Sequence, residues 1–337
     1  LDITEQFSDT QQKYIKHAHP IILTEMKWLF VGPNPLAGIG QVTMRYAELM
    51  NGEYCQYDQN PSQTQYDVGF AFFLPVPWQL DRIRTLFSKI CKKMIYMTVC
   101  ETETVHPSYG TLLDISNVIY CPSEFARGVL SHQFPTGDWR VLRHWIPDPP
   151  MPKCLTDGPT YKFYSIGNLA DPRKNIGQLI QAFLDLNLPD ARLVLKATCR
   201  QKIESKWPNV VIINGLVTNE QLDSIHESCD CYVNCSFSEG VGMGAVEAAM
   251  RDKPVIISEY GGLKEYVKTP YVIKTGRRKV GGTDFLYEPE MEWGDPELES
   301  LKEHMKECHR LKLRYQDHQS TRTMVHSVAT ELPQCIP

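Results

Sequence analysis

Glu239 and Glu247 stand eight positions apart in "SEGVGMGAVEAAMRDKPVIIS" (238–258), with Gly240, Gly242 and Gly244 between them and a short apolar run behind. Carboxylates in such a stretch fit a loop for an anion, a pair of reacting acids, or ordinary helix packing. The glycines expose backbone N–H groups, and "GAVEAAM" is a strong helix former. Glu239 therefore falls in the loop, and Glu247 one turn into the helix. A hydrolytic acid/base pair is disfavoured, because such carboxylates flank a bond, and these two lie on one continuous segment. A carboxylate facing a ligand hydroxyl is instead a strong, orienting acceptor. The plain alternative for Glu247 is a cap or a salt bridge. Among Ala245, Val246, Ala248 and Ala249 it needs a partner in any case.

Two other stretches offer chemistry. In "SIGNLADPRKNIGQLIQAF" (165–183) Arg173 and Lys174 precede a helical pattern. A forked guanidinium, a point charge and a helix N-terminus together suit a diphosphate; an exposed basic pair on a surface turn is the plain alternative. In "GPNPLAGIG" (32–40) Gly38 and Gly40 allow close backbone approach before a second helix. That stretch lacks the full GxGxxG pattern, and no acidic residue closes a second strand about twenty residues on, which argues against an NAD-dependent oxidoreductase. Cys229, Cys231 and Cys235 cluster in "SCDCYVNC", but a zinc site wants a second pair, and "CYVNC" reads as a buried strand.

The elements around these stretches alternate. Strands are expected at "KWLFVGPNP" (27–35), "YDVGFAFFL" (66–74), "KMIYMTV" (93–99) and "NVIYCPS" (117–123), with helices at 37–50, 80–93 and 123–133. "HWIPDPPMPKCLTDGP" (144–159) holds five prolines in sixteen residues and reads as a linker. The rhythm then restarts with strands at 161–168, 191–198, 209–215, 229–236 and 253–259 and helices at 175–186 and 219–227. The strands are apolar throughout rather than alternating, the pattern of parallel sheets covered on both faces. The expected organisation is an α/β chain: an N-terminal arm or helix (1–26), a Rossmann-like domain (27–148), a linker (149–160), a second Rossmann-like domain (161–308), and a C-terminal helix or tail (309–337) packing back on the first domain.

Composition narrows the classes. The chain has 337 residues, 42% of them hydrophobic, and a net charge of −5, so nothing global invites nucleic acid and any anion site must be local. Eleven cysteines without a framework spacing read as reduced thiols of a cytoplasmic protein. No apolar run reaches the roughly 18–20 residues of a membrane span, and no leader opens the chain. "LFSKICKKM" (86–94) is a candidate for weak membrane contact, with a solvated helix face the preferred reading. The chain starts at Leu1, not methionine, and is read as starting inside a longer one.

Taken together, "EGVGMGAVEAAMRDKPVI" resembles the E-x7-E segment of retaining, nucleotide-sugar-dependent glycosyltransferases of the GT-B fold, family four. The resemblance extends over "VIINGLVTNEQLDSIHESCDCYVNCSFSEG" (211–240), "CETETVHPSYGTLLDISNVIYCPSEFARGVL" (100–130) and "EWGDPELESLKEHMKEC" (292–308). It implies a GT-B fold, two Rossmann-like domains facing across a cleft, and sugar transfer with retention to a hydroxyl of a carbohydrate, lipid-linked or small-molecule acceptor. No cofactor and no metal are implied. It assigns Glu247 to the ribose hydroxyls, Glu239 to the donor sugar, and Gly242, Met243 and Gly244 to backbone contacts. Lys174 and Arg173 are assigned to the departing diphosphate, with Gly38 and Gly40 facing it from the other domain. His106 is placed near the transferred sugar, and Asn168 and Val217 on the donor side. Two departures stand out: Gly167–Asn168 replaces the usual Gly-Arg, and His144–Trp145 the usual His-Gly. A non-catalytic nucleotide-binding protein of the same fold is the rival reading.

Overall fold

The structure, a computed structural model, describes residues 26–36, 38–150, 158–198, 202–284 and 286–337. The expected arm at 1–26 therefore lies outside the described residues except for Met26, as do residues 151–157 of the expected linker.

Two six-stranded parallel sheets form the two halves. The first has the order β2-β1-β3-β4-β5-β6, built from β1 (Trp28–Gly32), β2 (Glu53–Gln56), β3 (Tyr66–Phe72), β4 (Cys91–Met97), β5 (Val118–Cys121) and β6 (Asp138–Val141). Alternate residues of β1 explain its unbroken apolar run. Trp28 and Phe30 pack with Val42 and Tyr46 of α1 (Gly38–Met50), while Leu29 and Val31 pack on the opposite face with Ile119, Ala126 and Leu130. A strand wet on one face would alternate; this one is dry on both.

The second sheet has the order β12-β11-β10-β7-β8-β9, from β7 (Tyr161–Gly167), β8 (Ala191–Ala197), β9 (Val210–Ile213), β10 (Cys231–Asn234), β11 (Val255–Ser258) and β12 (Val272–Ile273). One face buries Leu179, Ala182 and Phe183, and the other Ala245, Val246 and Ala248. Near the chain's end, Val325 packs in this second half, while Val328 and Leu332 pack into the core of the first.

The strand order reverses beside β1 and β3 in one sheet and beside β7 and β10 in the other. Ligands of open parallel sheets sit at such switch points, at the carboxyl ends of the strands. "GPNPLAGIG" leaves β1 there, and the Arg173–Lys174 and Glu239 segments leave β7 and β10.

The structure departs from the sequence reading in three places. The helix expected at 80–93 is α2 (Pro77–Arg82), then a wider turn (Ile83–Phe87) and one helical turn (Ser88–Ile90); Cys91 already belongs to β4. Pairing with β3 claims residues that local pattern assigns to a helix. "LFSKICKKM" is consequently no amphipathic helix, and Lys92 Nζ is held by Asp67 at 2.7 Å. The sequence reading contains no strand at β2, β6 or β12; at four, four and two residues, on sheet edges, these carry little apolar signal. Also missed was a two-stranded antiparallel ribbon, β13 (Thr275–Lys279) and β14 (Glu292–Pro296), that follows β12.

Candidate active site

A cavity of about 950 Å³ lies between the two halves. Glu239, Lys174, Arg173, Glu247, Gly242, Met243, Gly244, Gly38, Asn168 and Val217 all line it. The structure thus brings together most residues singled out in the sequence. Gly40 and His106 are not among them.

Glu239 follows β10 and is 5% exposed. Its Oε1 accepts hydrogen bonds from Lys174 Nζ at 2.7 Å, Ser236 Oγ at 2.7 Å and Asn234 Nδ2 at 3.2 Å, and its Oε2 accepts from Arg173 Nη1 at 3.2 Å. Burial alone would push this carboxyl's pKa up. The adjacent Lys174 and Arg173 charges outweigh it and hold the group ionised, far below the ordinary carboxylate range.

Arg173 and Lys174 reach Glu239 from a short turn (Pro172–Lys174) that ends on Asn175 in the left-handed region, before α3 (Ile176–Leu186). Their roles separate. Arg173 is buried and donates to Ser238 O at 2.6 Å, with Glu101 Oε1 at 3.1 Å and Asp171 Oδ2 at 3.2 Å. Burial disfavours its charge, but Glu101 and Glu239 more than restore it, so the pKa rises. Its guanidinium is directed into carboxylates. Lys174 is the more exposed of the two, at 21% of its side chain.

Glu247 sits on α4 (Met243–Ala249), whose entry residue Gly242 has φ +75°, a backbone that a side chain would strain. The partner that its apolar neighbours require comes from the other half: Arg45 of α1 donates from Nη2 to Oε1 at 2.5 Å. Buried His226 lies with Nε2 3.8 Å from Oε2. Burial opposes ionisation of Glu247, yet Arg45 and His226 pull its pKa down to about 2.

Gly38 and Gly40 divide. A side chain at Gly38 would meet nothing within 4 Å, so the helix start is open to the cavity. At Gly40 a Cβ would stand 2.3 Å from Asn34 O and 2.4 Å from Pro33 O, so this glycine serves the packing of α1 on the preceding turn. His106 caps a short helical turn (Pro107–Asp114), with Nε2 3.4 Å from Glu288 Oε1. The loop after β4 instead brings Glu101 to the cavity.

Sequence reasoning missed Arg45, Glu101, His144 and Tyr287. His144 lines the cavity among the rings of Tyr46, Phe72 and Tyr266, and neither of its ring nitrogens has a partner among the described residues. Burial drives its pKa down to about 3, so it is neutral. The one available signal was the departure at His144–Trp145. Among the described residues no three His, Cys, Asp or Glu side chains gather as a metal cluster, the cysteines are free thiols, and no helix is long and apolar enough to cross a membrane.

Residues 152–277 match the profile of the family described as Glycosyl transferases group 1. No curated protein sequence is significantly similar to the chain. Solved structures share its architecture at low identity. A glycosyltransferase from Rickettsia africae superposes with a TM-score of 0.61 at 11% identity, over 92% of this chain and 97% of that one. The Anabaena protein HepE, solved in complex with UDP and glucose, gives 0.57 at 13% identity, over 91% and 94%. Sucrose-phosphate synthase from Thermosynechococcus elongatus gives 0.57 at 14% identity, over 80% and 72%. The chain has the GT-B fold, and its group 1 segment at residues 152–277 supports glycosyl transfer as its chemistry.

Proposed function

We propose that this protein is a retaining, metal-independent glycosyltransferase of the E-x7-E type, moving a sugar from a nucleoside-diphosphate sugar to a hydroxyl acceptor in the cytoplasm. One observation carries the reading: the Glu239–Lys174 pair and Glu247 face one cavity between two Rossmann-like halves. Glu247, once separated from Arg45, takes the ribose hydroxyls. Glu239 orients the donor sugar. Lys174 and the backbone N–H groups at Gly242–Gly244 meet the diphosphate, where charge develops as the glycosidic bond breaks. Arg173 acts chiefly by fixing Glu239, because its own charge is already committed to three carboxylates. Enclosure between the halves excludes water, favouring transfer over hydrolysis.

A non-catalytic nucleotide-binding role is favoured by one departure, Asn168 in place of the usual arginine, which leaves Lys174, itself paired with Glu239, as the principal cation for the phosphates. A panel of UDP- and GDP-sugars with and without EDTA, read by released nucleotide and by thermal shift, separates the two. Release that survives EDTA supports the transferase. A melting shift without release from any donor supports the binding role, and neither signal refutes both.

A further inference from the structure

The two walls of the cavity differ. Among the described residues, Glu101 is the only charged side chain that the N-terminal half contributes to the lining; the other charged groups belong to the C-terminal half. Its carboxylate spans the junction: Oε1 accepts from Gly240 N at 3.3 Å and faces Arg173 Nη1 at 3.1 Å, while Oε2 accepts from the Tyr287 hydroxyl. It therefore stands on the acceptor-facing wall, against the same guanidinium that holds Glu239. The rest of this wall is mostly apolar, with Leu74, Val99, Val105 and Tyr109 joined by Leu286 and Tyr287, and Gln41, Gln79 and Thr102 among its polar members.

Those last two residues come from the far domain. The β13–β14 ribbon extends from the C-terminal half to the loop after β4, where Glu103 N donates to Glu292 O at 2.9 Å and Arg277 pairs with Glu103. Its tip packs Leu286 against the N-terminal core cluster that includes Phe73, Val105 and Tyr109. The ribbon thereby finishes an apolar enclosure that neither sheet makes alone.

Resting on the donor-site reading above, we infer that Glu101 positions the acceptor by accepting a hydrogen bond from its reacting hydroxyl, and that the acceptor carries an uncharged, apolar body against this enclosure. A carboxylate has about four lone-pair sites, so Glu101 retains capacity for a hydroxyl beside its present partners. An anionic acceptor would meet Glu101 with like charge. An acceptor hydroxylated on every side would leave groups unpaired against Leu74, Val99 and Leu286. An apolar body is instead stabilised by leaving water there.

The test uses two probes with the same sugar and different bodies, octyl β-D-glucoside below its micelle concentration and methyl β-D-glucoside. Each is titrated calorimetrically into the full chain saturated with UDP, or with GDP if only that binds. The expected result is octyl glucoside binding at least about tenfold tighter than methyl glucoside, since burying two methylenes already accounts for that ratio. Leu286→Asp should abolish the difference. Glu101→Gln should weaken the octyl probe about tenfold, the scale of one charged hydrogen bond, with partial recovery in Glu101→Asp. All three variants should bind UDP as the parent does. Equal affinity for the two glucosides, no binding of either, or octyl binding untouched by both Leu286→Asp and Glu101→Gln overturns the inference while leaving the donor site standing. Failure of UDP and GDP alike overturns the donor reading and this inference with it.

Discussion

Replacing Glu239 by glutamine removes one charge and little volume. The amide still accepts from Ser236, but Lys174 at 2.7 Å and Arg173 at 3.2 Å lose their shared counter-charge. Coulomb's law at an effective dielectric of 20 gives roughly 5–6 kcal/mol for each contact before desolvation is subtracted. The amide escapes that desolvation penalty, Arg173 keeps Glu101 and Asp171, and Lys174 is partly open to water. The expected loss is therefore about 2–4 kcal/mol, at or just below the range for breaking a buried pair. Urea midpoints at pH 7 would measure it. The pH dependence is the sharper check. Glu239 has a depressed pKa in the folded chain, so its contribution is complete above the ordinary carboxylate value of 4.5 and is lost as pH falls below it. At pH 4 the unfolded chain already takes up protons there, and the gap between parent and variant should shrink by about 0.8 kcal/mol. Turnover should fall while the affinity for free UDP stays within about threefold, because the proposed partner of Glu239 is the sugar. A variant as stable as the parent at pH 7, or a gap identical at pH 7 and pH 4, would refute the electrostatic account.

Three further outcomes are expected. Lys174→Ala should lower transfer by on the order of 10²–10³, the effect of losing one preorganised charge-stabilising group; initial rates of nucleotide release with saturating donor decide it, and near-parental activity would remove Lys174 from the phosphate site. Glu247→Ala should weaken UDP binding by roughly 1.5–3 kcal/mol, measured by calorimetry, and unchanged affinity would end its assignment to the ribose. His144 is neutral in the fold, with its pKa held near 3, whereas the unfolded chain protonates it below 6.5, so the parent should lose stability as pH falls through that window. His144→Phe should flatten the melting temperature between pH 6.5 and 5, and an equally steep decline would show that other groups, such as buried His226, carry the acid sensitivity.

What the sequence disclosed depended on distance along the chain. Glu239, Gly242 and Glu247 belong to one strand–loop–helix unit, so their spacing already placed them on one side of a ligand. Arg173 and Lys174 stood out as cations before a helix, with an exposed surface pair as the plain alternative, and both line the cavity. Arg45, Glu101 and Tyr287 were not, since each acquires its meaning from a partner in the other half: Arg45 from Glu247, Glu101 from Arg173, and Tyr287 from Glu101. Nothing local distinguishes Arg45 from any other arginine on an amphipathic helix. The ribbon was hidden for another reason. Its strands are short and polar on their exposed positions, and only the paired glycines at 281–282 mark the turn. His106, assigned through the family resemblance, is not among the residues that line the cavity, whereas Glu101, five residues earlier, is.

On the proposed reading, the charges of the cleft also constrain how a nucleotide would enter it. Arg45 is held by Glu247, and Arg173 and Lys174 by Glu239, so a diphosphate does not meet bare cations. It must exchange places with carboxylates, and the exchange differs at the two ends. Within its own half the carboxylate of Glu247 has only His226 among its described ion-pair partners, so a ribose that took its oxygens would release Arg45 and loosen the link between the halves there. At the other end Arg173 retains Glu101 across the junction whatever Lys174 does. Binding would therefore open the contact at α1 while the contact at the ribbon persists, a rotation about the acceptor side rather than a simple clamp. The ribbon is what makes that asymmetry physical. It ties Glu103 and Glu101 to the C-terminal half through Arg277 and Tyr287, so the loop after β4 is held to that half. A fold whose two sheets meet only at a linker would leave both walls free to move; here Arg173 joins Glu101 of one half to Glu239 of the other, at 3.1 and 3.2 Å.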